Sequence, residues 1–391
     1  MKHTASEVSG ILNSSGGIHL SIYIEGKMGI VESKKMLQKY LVEAEVYLSP
    51  VLSESEKQTF LDPIYNLLLS DTFLNSSEES YAIFRKQNEL RCLKLPIAVV
   101  SGCHVATTFH VKPILSWKQV ERKFYLVHSD HEKITLYFAN KTTCQKISAF
   151  EFEKIDENKT FQERKSIVTN KNATFSNQMR VLGRQIDFAI SKHSTGNTSK
   201  LFFSGISQIN KEIFSNLKYP KKVHTTFLSG SSRKSISKNC EFIRNYLSKE
   251  ALKSHESSVE DFRFAFLQNR VMKNIFQIAK CAVVGKIQRL LISEDQNLFG
   301  KINEKNGDVK LYPRDKDHED DDILDDIAQI VLKNGGEVIV TPSQKIPNYF
   351  PILAISDTFL QDQTANAIFN GNNTDTIPLR KKENTSQVSL N

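Results

Sequence analysis

The residues best equipped for chemistry in this chain are few and scattered. His128 and His131 stand at HxxH spacing, which supplies two zinc ligands only if at least one more comes from elsewhere. They fall in a polar turn between two predicted strands, so an exposed turn is the better account, and His104 and His110 are read with the same caution. Asp315, Asp317, His318, Glu319 and the run Asp320 to Asp322 suggest a hard-cation site. That cluster lacks the spacing and central glycine of an EF-hand loop, and acids before a helix also favour the positive end of its dipole. It reads as a solvated helix start. The phosphate loops GxGxxG and GxxxxGK[ST] and the GxSxG elbow are missing, as are a catalytic triad and a metal site, so no cofactor is expected. Cys92, Cys103, Cys144, Cys240 and Cys281 form no CxxC pair and read as reduced, small packing residues.

The strongest positive signal is charge. Residues 158–250 hold 17 Lys/Arg against 5 Asp/Glu, a net +12 in a chain whose total is +8, so the rest carries −4. Arg164, Lys165, Lys171, Arg180, Arg184, Lys218, Lys221, Lys222, Arg233, Lys234, Lys238 and Arg244 supply it, with Tyr219, His224 and Phe227 interleaved. Cations neutralise phosphates and aromatic rings stack on unpaired bases, so this segment is a candidate RNA-binding surface. Residues 308–326 are the counterpart, with 9 acids and 3 bases.

The elements that must carry these residues follow from periodicity. Residues 17–24 alternate as a half-buried strand does, and Met36 to Leu48 repeats at helical spacing until Pro50. Ser53 with Glu56 is a capping-box spacing that opens a second helix. Tyr81 to Arg85 and Arg91 to Leu95 are two strands; Lys123 to His128 and Ile134 to Phe138 form a hairpin. A polar loop is predicted over Glu153 to Asn177, then a helix whose apolar residues are Met179, Leu182, Ile186, Phe188 and Ile190. A buried strand is expected near Val223 to Leu228, and one helix carrying Phe262, Phe266 and Ile275. Beyond it the run Cys281 to Ser293 reads as a helix end, a Gly-containing turn and a buried strand, followed by strands at Leu298 to Asn303, Glu337 to Val340 and Pro351 to Ile355. A helix from Ile323 to Leu332 sits among them and is stopped by Asn334-Gly335-Gly336. Alternating strands and helices indicate layered α/β domains.

At 391 residues, 39% hydrophobic and 25% charged, the chain suits two or three globular domains. No stretch nears 18 consecutive apolar residues, and residues 1–17 lack the apolar core of a signal peptide, so a soluble cytoplasmic protein with no membrane contact is expected.

Three runs together resemble a known family: Gly285 to Ile292, Leu298 to Ile302 with Asp322 to Ala328, and Leu332-Lys333-Asn334-Gly335-Gly336-Glu337-Val338-Ile339-Val340. They resemble the C-terminal domain of the bacterial proteins related to archaeo-eukaryotic release factors and Pelota. Phe109 to Leu115 and Arg122 to Leu126 resemble that family's junction between first and middle domains, and Tyr219-Pro220 with Gly230 its middle domain. The resemblance implies an N-terminal α/β domain, an RNase H-like middle domain and an L7Ae-like C-terminal domain, placed at 1–115, 116–250 (the basic segment) and 251–356; residues 357–391, rich in Asn, Thr, Gln and Ser, are expected to form a disordered tail. It implies binding to the ribosome and ribosomal RNA, in ribosome hibernation or rescue, with an elongation-factor GTPase meeting the C-terminal domain. Release factors carry a Gly-Gly-Gln loop that promotes peptidyl-tRNA hydrolysis. This chain has Ser176-Asn177-Gln178 in the corresponding region, without the glycines' backbone freedom, so Gln178 is a weak catalytic candidate and a non-hydrolytic role is expected. The alternatives are a peptidyl-tRNA hydrolase acting through Gln178, an RNase H-like nuclease using Asp187, Glu212 and Glu241, and an adaptor that reuses the fold.

Overall fold

The computed structural model describes residues 5–12, 14, 16–69, 74, 79–87, 89–120, 123–140, 143–152, 164–193, 199–218, 225–228, 235–313 and 321–356, with the side chains of 5–7, 9, 120, 164–174, 225, 226 and 321 excluded. Three sheet-centred α/β units follow one another. The tail over 357–391 lies outside the described residues.

The first unit runs α1 (Ala5–Leu12), β1 (His19–Ile24), α2 (Ile30–Leu48), α3 (Glu54–Leu69), β2 (Ser80–Lys86), β3 (Glu89–Leu95) and β4 (Gly102–Ala106). Its antiparallel sheet has the order β3-β2-β1-β4. Leu20, Ile22, Ile24, Tyr81 and Ile83 pack under Leu37, Leu41 and Ala44 of α2 and Phe60 and Ile64 of α3. The capping box opens α3 as its spacing predicts: Glu56 Oε2 accepts from Ser53 N at 2.9 Å and from Ser53 Oγ at 2.7 Å. The expectation of a half-buried β1 is corrected. All six of its residues are buried, because Tyr23, with Ala82 and Phe84 of β2, joins a core shared with the third unit.

That sharing runs through α4 (Lys112–Val120). Its Ile114, Leu115 and Trp117 pack in the same core as Leu290, Ile292, Val338 and Val340 of the third unit. A boundary at 115 would therefore fall inside α4.

The middle unit comprises β5 (Phe124–Ser129), β6 (Lys133–Ala139), β7 (Cys144–Glu151), α5 (Arg164–His193), β8 (Lys200–Gly205), α6 (Ser207–Asn216) and β9 (Thr225–Phe227). The strand order is β7-β6-β5-β8-β9, antiparallel through β5 and parallel beyond it. Counted along the unit this is 3-2-1-4-5, the topology that an RNase H-like sheet requires. Two expectations are corrected here. Residues 164–177 belong to α5, not to a loop, and helix continuity follows from the apolar anchors Met179, Leu182, Ile186 and Ile190 at its C-terminal half, all buried. Phe188 is 69% exposed: two residues beyond Ile186 places it about 200° around the helix, on the far side from the core.

α7 (Ile236–Leu267) follows without a break across residues 250–251, and α8 (Ile275–Val283) is a separate helix. Ile275 therefore does not continue the helix of Phe262 and Phe266. Asn274 caps α8, accepting from Phe276 N at 2.9 Å. The third unit continues with β10 (Arg289–Ser293), β11 (Phe299–Ile302), β12 (Val309–Leu311), β13 (Asp321–Asp322), α9 (Ile323–Lys333), β14 (Glu337–Thr341) and β15 (Ile352–Ile355). β10 is central, parallel to β14 and antiparallel to β15. Leu291, Ile339 and Leu353 face Val259 and Phe262 of α7, while Leu290, Ile292 and Val340 face the shared core. Among the described residues no helix is long and apolar enough to cross a membrane.

Candidate nucleic-acid interface

The middle sheet has two covered faces. Tyr125, Val127, Leu201 and Phe203 pack against Met179, Leu182, Ile186 and Ile190 of α5 and Ile209 and Ile213 of α6. Phe124, Leu126 and Phe202 pack against Cys240, Ile243 and Leu247 of α7. The basic segment is thereby divided. Arg180, Arg184 and Lys218 are exposed on the α5/α6 side, and Lys238 is exposed on α7 across the sheet. Lys221, Lys222, Arg233, Lys234, Tyr219 and His224 lie outside the described residues. Arg164, Lys165 and Lys171 lie on α5 where only the backbone is described.

On the solvent side of α5, Arg180, Arg184, Phe188 and Lys192 recur every four residues, and all are exposed. A stripe of three cations with one open aromatic ring suits a single nucleic-acid strand: the cations meet phosphates and the ring meets a base face. Sequence reasoning misplaced Phe188 in the core. Its phase relative to Ile186 and Ile190 is the signal that separates it. Phe227, expected beside the basic cluster, instead stacks on Phe203 with centroids 5.1 Å apart and meets Phe214 edge-on at 5.4 Å.

Gln178 and its neighbours are not on a loop. Ser176, Asn177 and Gln178 lie inside α5, with Ser176 and Asn177 exposed and Gln178 half-buried. A helical backbone makes hydrogen bonds to itself and does not reach outward as a mobile catalytic loop does. The carboxylates of the nuclease alternative are not brought together either. Asp187 on α5 accepts from Lys218 N at 2.7 Å, Glu212 is on α6, and Glu241 is on α7 at the opposite face of the sheet. Among the described residues no group of three or more His, Cys, Asp or Glu side chains could hold a metal ion. His128 is corrected as well: it lies in β5, half-buried, with Nδ1 2.8 Å from Ser204 Oγ, whereas His131 is in the exposed turn.

The titratable groups that the structure does gather lie where the first and third units meet. Asp325 Oδ1 accepts from Lys112 N at 2.7 Å and from Val111 N at 2.9 Å, capping the start of α4. Thr108 Oγ1 donates to Asp326 at 3.0 Å, and Gln329 Nε2 donates to Phe109 O at 3.0 Å. The Lys112 ammonium, fully buried, pairs with Asp322. The solvated helix start expected here is thus corrected for Asp322, Asp325 and Asp326, all buried because residues 108–112 fold over them. The acids at 315–320 lie outside the described residues. His104 and His110 stack beside the cluster at 4.1 Å and are no exposed turn.

Burial, with Lys112 nearby, lowers the His104 pKa to about 4 and that of His110 well below its usual value. Burial, then Asp322, raises the Asp325 carboxyl to about 7 against the pull of Lys112 and the two backbone N–H groups. The unfolded imidazoles take up protons below pH 6.5 that folded His104 refuses until about pH 4 and that folded His110, its pKa held well below the usual value, also refuses, so both groups cost stability as pH falls below 6.5. Asp325 has the opposite sign, favouring the folded state at low pH and losing that contribution as pH rises from about 4 to 7. Two imidazoles outweigh one carboxyl. Thermal melts are expected to show a lower Tm at pH 4.5 than at pH 6.5, with the gap narrowed in a His104→Gln/His110→Gln variant. An unchanged gap would refute this assignment.

No family model and no curated protein matches the sequence. Solved structures do. Archaeal Pelota, in a ribosome-bound model with ABCE1, matches with 10% identity and a TM-score of 0.38 over 90% of this chain and 94% of that one. Dom34 of S. cerevisiae, a translation termination-like factor, matches at 11% identity and 0.36 over 71% and 80%. The archaeal termination factor aRF1 matches at 11% and 0.23 over 90% and 96%. The chain is similar to Pelota and to an archaeal release factor. With identities of 10–11% and TM-scores no higher than 0.38, that likeness says nothing of what this chain binds.

Proposed function

We propose that the chain is a cytoplasmic, ribosome-associated translation factor that binds RNA through its middle unit without hydrolysing a substrate. It acts in ribosome hibernation or rescue, and an elongation-factor GTPase engages the third unit. The observation that carries this reading is the Arg180, Arg184, Phe188, Lys192 stripe on α5, within a segment of net +12. The placement of Gln178 inside a helix favours binding over hydrolysis. The family resemblance of Gly285 to Val340 supplies the translation context.

Co-sedimentation with ribosomes in low and moderate salt tests it. Arg180→Ala/Arg184→Ala is expected to bind more weakly at every salt concentration, with a log–log salt slope shallower by about 1 per arginine removed. Phe188→Ala is expected to lose about 1–3 kcal/mol of binding with the slope unchanged, the mark of a lost base stack. A Lys221/Lys222/Arg233/Lys234 alanine variant extends the comparison to the candidates outside the described residues. Absence of the protein from ribosomal fractions of both growing and starved cells would sink the reading.

A further inference from the structure

Two of the five cysteines do not behave as the packing residues that their dispersal in sequence suggests. Cys144 is the first residue of β7, the edge strand of the middle sheet, and Cys240 lies in the first turns of α7. Their sulfurs are 2.8 Å apart, less than an ångström beyond the ~2.05 Å of a formed disulfide. Cys144 is exposed, whereas Cys240 is fully buried.

The surroundings hold that geometry in place. The turn before β7 is closed by Asn140, whose Oδ1 accepts from Thr143 N at 2.8 Å and Thr143 Oγ1 at 2.9 Å. Arg244, one turn beyond Cys240, donates from Nε to Asn140 O at 2.8 Å and so ties α7 to this turn. The thiols are also polarised in opposite directions. The hydrogen bond from Cys240, then the Arg244 charge, pull Cys144 down to about 7 against its burial, while Cys240 is pushed up by the same hydrogen bond and by burial. Cys144 is therefore substantially thiolate near neutrality, and Cys240 keeps its proton. Burial makes the contrast elsewhere: Cys92 is pushed up to about 12 and Cys103 further, as inert structural thiols are.

We propose that Cys144 and Cys240 form an oxidisable dithiol, a modification site at which a hydroperoxide closes a disulfide between the edge of the middle sheet and α7. The Cys144 thiolate attacks the terminal peroxide oxygen; the O–O bond breaks, the alkoxide (or hydroxide) leaves and takes a proton from solvent, and Cys144 becomes a sulfenic acid. The Cys240 sulfur then attacks the Cys144 sulfur. The S–S bond forms as the S–O bond breaks, and the departing hydroxide takes the Cys240 proton as water. Two thiols lose two electrons, the peroxide gains them, and a cellular dithiol reductant reverses the step. In a reducing compartment such a bond is transient, in keeping with a sensor and not with a structural staple.

The full-length protein, first fully reduced, is treated with one equivalent of hydrogen peroxide, alkylated and mapped by mass spectrometry. The expected product is one 144–240 cross-linked peptide, with Cys92 and Cys103 alkylated. The cross-link encloses about 97 residues and is expected to raise the Tm of the middle unit by roughly 5–10 °C, reversed by reductant. Cys240→Ser is expected to stop at a sulfenic acid that dimedone traps on residue 144. Cys144→Ser is expected to leave Cys240 unoxidised. Absence of the cross-link from the wild-type protein, an experiment that needs no variant to fold, would overturn the proposal. Oxidation spread evenly over all five cysteines would overturn it too.

Discussion

Replacing Lys112 by methionine is expected to destabilise the protein by about 3–5 kcal/mol. Lys112 is 2% exposed, and every polar partner of its ammonium belongs to the third unit. Nζ pairs with Asp322 and donates to Gln296 O at 2.7 Å and Asn297 Oδ1 at 2.8 Å. Methionine keeps the stem of the side chain and its packing but leaves the Asp322 carboxylate buried without a cation, beside the already crowded Asp325. Denaturant unfolding should show the loss as a lower midpoint shared by the first and third units, because residues 108–112 and α4 join their cores. The double variant Lys112→Met/Asp322→Asn should recover much of it, since the orphaned charge goes with it; Asp322→Asn retains the amide oxygen that can accept from Leu298 N and Leu324 N. A single-variant loss under about 1 kcal/mol would show that the ion pair is compensated elsewhere.

The second large effect is expected at Gly205, where alanine should cost roughly 3 kcal/mol or more of stability. Gly205 ends β8, paired with Ser129 of the parallel strand β5, and has φ +97°, a region that L side chains rarely adopt. A Cβ there would stand 1.9 Å from Ser129 O, which is backbone and cannot rotate away. The same junction carries the Ile206 N to Ser129 Oγ hydrogen bond at 2.8 Å, so displacement of Gly205 also opens the start of α6. The expected readout is a lower unfolding transition of the middle unit, with the first and third units unchanged. A Gly205→Ala protein as stable as the parent would mean that β5 and β8 can part at that end without cost.

Much of the fold was legible because its signals are local. The Ser53/Glu56 box, the β5–β6 hairpin and the Asn334-Gly335 stop each depend on neighbours within a few residues, and each stands where the spacing places it. The start of α5 was not legible. Residues 164–177 are mostly polar, and among those whose side chains are described Phe175 alone packs with the downstream anchors. Burial of β1 on both faces involves contacts 87 and 89 residues away, and that of Lys112 and Asp325 contacts 184 to 214 residues away, which no window of sequence displays. The candidate site was half legible. The charge excess is visible in composition, but its division between two faces of a sheet is set by β8 and α7. Phe188 was misassigned because its apolar character masked its helical phase.

The 32-residue α7 has one consequence for motion. Cys240, Ile243 and Leu247 near its start seat it under the middle sheet, and Val259 and Phe262 near its end seat it under the third. At 1.5 Å per residue it is a lever about 48 Å long. If its two seats tilted against each other by ten degrees, its far end would travel roughly 8 Å, more than one helical turn. The beam has no proline or glycine at which to bend, so a tilt at either seat reaches the other as displacement and is not absorbed between them.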